Sequence, residues 1–269
     1  MSRHVKFGVR MHQHGYDFDD LKRVWTQADR LGYHSATLYD LLNAPALECW
    51  TALSALAALT ERIRLTPLVL GNTYRPPALL AKMSATLDVI SGGRLELGIG
   101  AGGGTGDHRA SGLPFPSTAE RVKMLEEAVE LIKKSWTEPK ATFQGEYYSL
   151  EQSVNEPKPV QQPHPPVLIG GHGERHLLRS VAGHADICNI GFEMSLEEHR
   201  SKMEIVQRHC DELGRDPSGI EITHNTRVII AESEQEFEVL AAQGADSANV
   251  SVADYKKSLS GAIAGTPEQ

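Results

Sequence analysis

The chain has 269 residues, with 27 Lys+Arg against 35 Asp+Glu, a formal net charge of −8, 40% hydrophobic and 23% charged residues. That is the mixture of a soluble globular protein with a sizeable core, and its acidic balance excludes a surface built to neutralise phosphates, so no nucleic acid partner is expected. No apolar run approaches the ~20 residues that span a bilayer, and the first residues lack a secretory apolar stretch, so no membrane partner and a cytoplasmic location are expected.

From Val5 to Met11 a short apolar run reads as a first strand, and Asp19–Leu31 follows with helical spacing at Leu21, Val24, Trp25, Ala28 and Leu31 before a capping Gly32. Ser35–Tyr39 reads as a second strand and Glu48–Thr60 as an alanine-rich helix. Ile63–Leu70 is a nearly all-apolar third strand, Pro77–Ile90 a helix with Pro in its first turn, and Leu95–Ile99 a fourth strand ending in Gly100-Ala101-Gly102-Gly103-Gly104. Ser117-Thr-Ala-Glu120 is a capping box opening a long helix, whose apolar face runs through Val122, Leu125, Val129, Ile132 and Trp136.

Thr142–Leu150 has the composition of a small hairpin, and Asn155–Pro166 is a proline-rich extended arm, with an interdomain linker as its alternative. The alternation then resumes: Val167–Ile169 is strand five, followed by a helix to Val181; Asp186–Ile190 is strand six, followed by a helix over Ser195–Leu213; Ile220–Ala231 holds strand seven, and Glu234–Ala242 is a further helix. Seven strand–helix units in line, with no block of consecutive strands, predict a parallel sheet with helices outside, closed as a (β/α)8 TIM barrel. A doubly wound open sheet competes, but the single glycine of Met11-His12-Gln13-His14-Gly15 lacks the glycine-rich turn of a dinucleotide-binding fold. After Gly265-Thr-Pro-Glu-Gln269, which reads as a helix start, the chain stops before an eighth strand. One domain over residues 1–269 is expected, with an insertion at 103–117 and a hairpin plus arm at 141–166.

Barrel active sites lie where strands end, which here gathers His12, Asp40, Gly71-Asn72, Ala101–Gly104, Gly170–Gly173 and Asn189–Phe192. Gly170-Gly171-His172-Gly173-Glu174-Arg175, between a strand and a helix, suits either phosphate binding at backbone N–H groups and the helix N-terminus or a plain tight turn. Asp40 ends an otherwise apolar strand, as a cap or as an acceptor for a ligand, and Gly71-Asn72 is a bulge or a simple turn. His108 and Arg109 follow the glycine-rich loop, as a proton donor and a cation on a mobile segment or as surface residues. His12 and His14 share one face of a strand, yet no later strand end completes a metal ligand set, and Cys49, Cys188 and Cys210 lack a paired spacing, so no metal and no disulfide framework is expected.

Three stretches carry a family resemblance over essentially the whole chain: Leu68-Val-Leu-Gly-Asn-Thr-Tyr-Arg-Pro-Pro-Ala-Leu-Leu-Ala-Lys-Met83, Thr86-Leu-Asp-Val-Ile-Ser-Gly-Gly-Arg-Leu-Glu-Leu-Gly-Ile-Gly100 and Asn155-Glu-Pro-Lys-Pro-Val160. They resemble the luciferase-like monooxygenase family, and most closely its branch of coenzyme F420-dependent oxidoreductases. The resemblance implies a (β/α)8 barrel with a deazaflavin or flavin across its mouth. It further implies Asp40 beside the ring, Leu70-Gly71-Asn72 as a supporting bulge with a non-prolyl cis peptide, Ala101 and Gly102 as ring contacts, and the Gly170, Gly171, His172, Gly173, Glu174, Arg175 loop on the phosphate. His108, Asp107 or His12 would supply a proton to a small-molecule substrate. A homodimer is the relatives' habit.

Two departures stand out. Relatives carry an aromatic residue, Asn and acids where this chain has Gly103-Gly104-Thr105-Gly106, leaving Asp107 as the loop's only acid. The missing last βα unit would expose strand edges, so a longer native polypeptide or a covering partner is expected. The leading expectation is an oxidoreductase that transfers a hydride between coenzyme F420 and a small organic substrate. A reduced-FMN-dependent monooxygenase on the same scaffold is the alternative, and a non-catalytic cofactor-binding or accessory protein is the alternative of another class.

Overall fold

The structure is a computed structural model that describes residues 5–171, 173–192 and 194–267. Strands β1 (Gly8–Arg10), β2 (Ser35–Leu38) and β3 (Arg64–Pro67) pair in parallel in that order, separated by helices α1 (Phe18–Leu31) and α2 (Cys49–Leu59). A short β4 (Leu70–Gly71) and helix α3 (Pro77–Ser91) precede β5 (Leu97–Gly100), which joins the first three strands through a parallel Leu65–Leu95 bridge. Helices α4 (Thr105–Ala110) and α5 (Thr118–Thr137) follow, then an antiparallel hairpin of β6 (Ala141–Gln144) and β7 (Ser149–Ser153). The wall continues in parallel from β5 through β8 (Val167–Gly170), β9 (Ile187–Phe192) and β10 (Glu221–Asn225), with α6 (Leu177–His184) and α7 (Leu196–Leu213) between. Last come β11 (Val228–Ile230), α8 (Glu234–Ala248), α9 (Val252–Ser258) and β12 (Ile263–Gly265), with β12 parallel to β11. This is the parallel α/β barrel expected from the alternation.

The local signals explain most elements. Asp17 accepts from the Asp20 N–H to open α1, and Gly32, at φ 81°, closes it in the left-handed conformation that glycine adopts at no steric cost. Leu21, Trp25 and Ala28 are buried as expected, whereas Leu31 at the end of that stripe is exposed. The whole apolar face of α5 is buried, from Val122 to Trp136. Leu125, Val129, Ile132 and Trp136 join Leu38, Leu65, Leu97, Ile99, Val167, Ile169 and Cys188 of the strands in the main core.

Four boundaries differ from expectation for identifiable reasons. The third strand stops at Pro67, and a cis Leu68–Val69 peptide carries the chain to β4, which pairs with β5 instead of prolonging β3. The seventh strand is two: a register shift at His224/Asn225 ends β10, and the Thr226 hydroxyl donates to the Gly261 carbonyl at 2.7 Å where the chain turns toward β12. The alternation also runs one strand further than the sequence suggests, since β12 occupies Ile263–Gly265. Helix α8 passes through Gly244 to Ala248 because a glycine there lets the Tyr255 ring of α9 pack against the helix; an added Cβ would lie 2.2 Å from it.

The proline-rich arm is tied to the barrel. Buried Asp88 of α3 accepts from the Val160 and Gln161 N–H groups at 2.8 and 3.0 Å and from the Gln161 amide at 2.7 Å. Among the described residues no helix is long and apolar enough to cross a membrane.

Candidate cofactor cleft

A cleft of about 660 Å³ opens where the strands end, a volume in the range of small-molecule and cofactor sites. Of the expected residues it brings together Asp40, Leu70, Gly71, Ala101, Gly102, Asp107, Gly170, Gly171, Gly173, Glu174 and Arg175. One flank carries the Asp40 carboxylate and the β4 segment. The other carries the turn after β8 and the first residues of α6 and α5. His172 lies outside the described residues.

Asp40 is buried and held from three directions. Arg75 donates to its two oxygens at 2.7 and 2.8 Å, and the Gly71 N–H donates to Oδ2 at 2.9 Å. Arg75 also reaches Glu48 at 2.9 Å, the residue that caps α2 by accepting from the Trp50 and Thr51 N–H groups. Burial by itself would lower the pKa of Arg75, but the hydrogen bonds and charges of Asp40 and Glu48 raise it above the ordinary guanidinium value. Gln13 steadies the same corner: its side chain is fully buried and bonds both the N–H and the carbonyl of Tyr39. Neither Arg75 nor Gln13 was singled out from the sequence. For Gln13 the signal was available, because in an extended segment His12 and His14 share one face and the residue between them takes the other.

Val69 sits at the centre of the mouth. Added Cβ atoms at Gly100 and Gly170 would lie 2.9 and 2.8 Å from its methyl groups, so the glycines of β5 and β8 admit this side chain over their strands. The non-prolyl cis bond implied by the resemblance falls at Leu68–Val69, just before Leu70-Gly71-Asn72 rather than inside it. Asn72 faces away from the cleft: it is buried, its amide donates to the Tyr148 hydroxyl at 3.3 Å, and its Oδ1 has no partner.

The loop after β5 is ordered by residues that local patterns do not reveal. His108 is fully buried, which corrects the alternative that made it a surface residue. Its Nε2 lies 2.7 Å from the Thr73 hydroxyl and its Nδ1 2.9 Å from the Gly104 carbonyl, with the Tyr74 and Phe115 rings on either side. Both ring nitrogens are therefore engaged within the protein. Arg121 donates from Nε to the Gly102 carbonyl at 3.1 Å and stacks on Phe115 at 4.0 Å. Asp107 does face the cleft, next to Tyr74, whose hydroxyl lies 3.4 Å from the Asp107 carboxylate and 3.4 Å from the Gly103 carbonyl. Burial, reinforced by the charges of Asp107 and Asp40, pushes the Tyr74 phenol up to about 12. His12 is exposed and outside the cleft, 4.9 Å from the Tyr39 ring and 5.8 Å from His14. Among the described residues no group of three or more His, Cys, Asp and Glu could hold a metal ion.

On the opposite flank, α6 starts at Leu177 with no side-chain cap on its first N–H groups. Glu174 is drawn aside by an ion pair with Lys202 of α7, which leaves Arg175 as the charged side chain of this turn without an ion-pair partner among the described residues. A turn of glycines, an uncapped helix N-terminus and a guanidinium make an anion-binding arrangement.

Comparison with known proteins agrees with this architecture. Residues 4–267 match the luciferase-like monooxygenase family, and the chain belongs to it. It is 29% identical over 230 residues to an F420-dependent glucose-6-phosphate dehydrogenase of Segniliparus rotundus, covering 82% of this chain and 68% of that protein. It is 28% identical over 233 residues to an FMNH2-dependent dimethylsulfone monooxygenase of Pseudomonas putida, covering 85% of this chain and 62% of that one. The alignments to the curated relatives compared span 45% to 68% of those proteins' lengths. A crystal structure of a monooxygenase from Streptomyces bottropensis superposes with a TM-score of 0.82 at 22% identity, covering 98% of this chain and 85% of that one, which establishes the luciferase-like TIM-barrel fold.

Proposed function

We propose that this protein is an oxidoreductase that holds coenzyme F420 in the cleft and transfers a hydride between it and a small organic substrate. The observation that carries the reading is the joining, in one cleft, of a buried carboxylate and backbone bulge at one end with an uncapped helix N-terminus and glycine turn at the other. That donor set fits a ring with a phosphate-bearing tail. The turn of Gly170, Gly171, His172, Gly173, Glu174 and Arg175 would hold the phosphate through backbone N–H groups and the Arg175 guanidinium, the Glu174 carboxylate being paired with Lys202; Asp40, Leu70, Gly71, Ala101 and Gly102 would border the ring, with Asn72 supporting the bulge from behind. A bound deazaflavin would supply a hydride when reduced and accept one when oxidised, not single electrons.

The chain's own part is to orient, to exclude water and to move a proton. The Val69 and Leu70 side chains give the cleft an apolar wall, which keeps water from the reacting face. Arg75 fixes Asp40 in one orientation. Of the acids lining the cleft, Asp40 is paired with Arg75 and Glu174 with Lys202, so Asp107 is the proton-transferring group of this proposal ahead of His108 and His12. A single domain over 1–269, with the 103–117 insertion and the 141–166 hairpin and arm, working as a homodimer in the cytoplasm, completes the reading.

A reduced-FMN-dependent monooxygenase is the second reading, supported by the Pseudomonas putida relative and by a phosphate turn that suits either tail. Titrating the protein with F420 and, separately, with FMN while following cofactor fluorescence tests both. Saturable binding of F420 is the expected result, weakened at least about tenfold by Gly171→Ala, since Gly171 sits at φ 142°, which a residue with a Cβ adopts only under strain. Preference for FMN would move the monooxygenase reading first, and binding of neither would overturn both.

A further inference from the structure

Beside the cofactor cleft lies a second compartment of about 520 Å³ that shares Val69, Gly170 and Gly171 with it. Among the described residues its charged side chain is that of Arg10, the last residue of β1. The guanidinium carbon lies 4.1 Å from the Phe192 ring centroid and 5.1 Å from that of Tyr39. Two aromatic faces limit the rotation of the planar guanidinium; it also hydrogen-bonds the Tyr39 hydroxyl, and its five N–H donors leave others for a ligand. Although the chain has more acidic than basic residues, no carboxylate among the described residues forms an ion pair with Arg10. Across the compartment the Asn225 amide donates to Asn189 Oδ1 at 2.9 Å and the Asn189 amide donates to the Thr223 hydroxyl at 2.8 Å. Each amide nitrogen keeps a second N–H beyond those bonds. Leu68, Val69 and Met194 make the remaining wall apolar.

We propose that this compartment selects substrates bearing a carboxylate on a small apolar body, with Arg10 taking the carboxylate through its paired N–H edge. Among the described residues one cation lines the compartment, which matches a monoanion and leaves a phosphate dianion half neutralised. The two coplanar oxygens of a carboxylate fit the guanidinium fork better than the three of a sulfonate. The Asn189 and Asn225 amides add neutral donors, and Phe192, Met194 and Leu68 take the hydrocarbon. The shared Val69 edge places that body next to the cleft, so the inference rests on the cofactor reading for its meaning as substrate selection; anion binding at Arg10 does not depend on it.

The test is isothermal titration of the full chain with benzoate, benzamide and benzenesulfonate, beside the cofactor titration. Expected is saturable benzoate binding at least about tenfold tighter than that of its neutral isostere benzamide, the increment of a charge-assisted contact. Arg10→Gln removes the discrimination, Arg10→Lys keeps part of it, and both variants bind the cofactor like the parent. Arg10 is exposed, so both variants should match the parent's thermal midpoint. Equal affinity for benzoate and benzamide, discrimination that survives in Arg10→Gln, or tighter binding of benzenesulfonate overturns the proposal. So does a loss of cofactor affinity in Arg10→Gln, which would assign the arginine to the cofactor. If the parent discriminates benzoate but binds neither F420 nor FMN, the cofactor reading fails and the anion site stands.

Discussion

Arg75 grips Asp40 by both carboxylate oxygens, at 2.7 and 2.8 Å, in a corner where the Asp40 side chain is 1% exposed and that of Arg75 is 13% exposed. A buried pair of this kind contributes little net stability as a pair, because desolvation offsets the attraction, but each partner makes the other tolerable. Its consequence is positional: the carboxylate can take one orientation at the cleft, with the Gly71 N–H as its third donor.

Arg75→Met should therefore destabilise the protein by about 3–5 kcal/mol, since it strands a buried charge. The double variant Arg75→Met/Asp40→Asn should recover a large part of that loss. Urea unfolding of the two variants and the parent measures both; a double variant no more stable than the single one would show that the pair's geometry, not its charge balance, matters.

His108 behaves as a latch between the β4 segment and the loop after β5. His108→Ala should cost about 2–3 kcal/mol, from two lost hydrogen bonds and the ring packing of Tyr74 and Phe115. Its turnover, measured at saturating cofactor and substrate, should stay within a few-fold of the parent's. A collapse in kcat with unchanged stability would restore His108 as the proton donor.

Tyr74 should resist ionisation until pH approaches 12, because burial and then the Asp107 and Asp40 charges oppose a phenolate. Asp107→Asn removes one of those charges and should bring the Tyr74 transition to lower pH. Ultraviolet difference absorbance against pH, with Tyr74→Phe as the blank, reads this directly. No movement would place Asp107 too far from Tyr74 to pair with it.

Acid should weaken the fold through two buried carboxylates. For Asp29, burial would raise the pKa, but the N–H groups of Glu61, Ile63 and Arg62 hold it below the ordinary value. For Glu96, burial again acts upward and is outweighed by hydrogen bonds from His34, Thr66 and Arg64 and by the Arg64 charge. Both folded-state pKa values are thus depressed, so their stabilisation is complete above the unfolded values, about 4 for carboxylates, and is lost as pH falls through the folded ones. The contribution of these two carboxylates to the urea midpoint should be level between pH 7 and 5 and drop below about 4. Glu96→Gln should flatten that drop, and an equally steep fall in the variant would count against Glu96 as a source.

Periodicity within single segments determined much of this protein. The apolar stripe of α5, the capping box at Ser117, the parallel alternation and the glycines after β5 and β8 all follow from interactions spanning a few residues, and such interactions are written in the order of the chain. The resemblance in residues 68–83, 86–100 and 155–160 added the family. What only the tertiary structure decided are contacts between strand ends far apart in sequence. Arg75 meets Asp40 across 35 positions, and His108 meets Thr73 across a further 35. Arg10 stacks on Phe192 because β1 and β9 end at the same face of the barrel. The division of the seventh strand belongs here too: Ile220–Ala231 reads as one apolar run, yet Thr226 bonds to Gly261 and sends its second half to β12. A hydrophobic run records that a segment is buried or extended. Which neighbour it pairs with depends on how the whole barrel curls, and that information is spread over the entire chain.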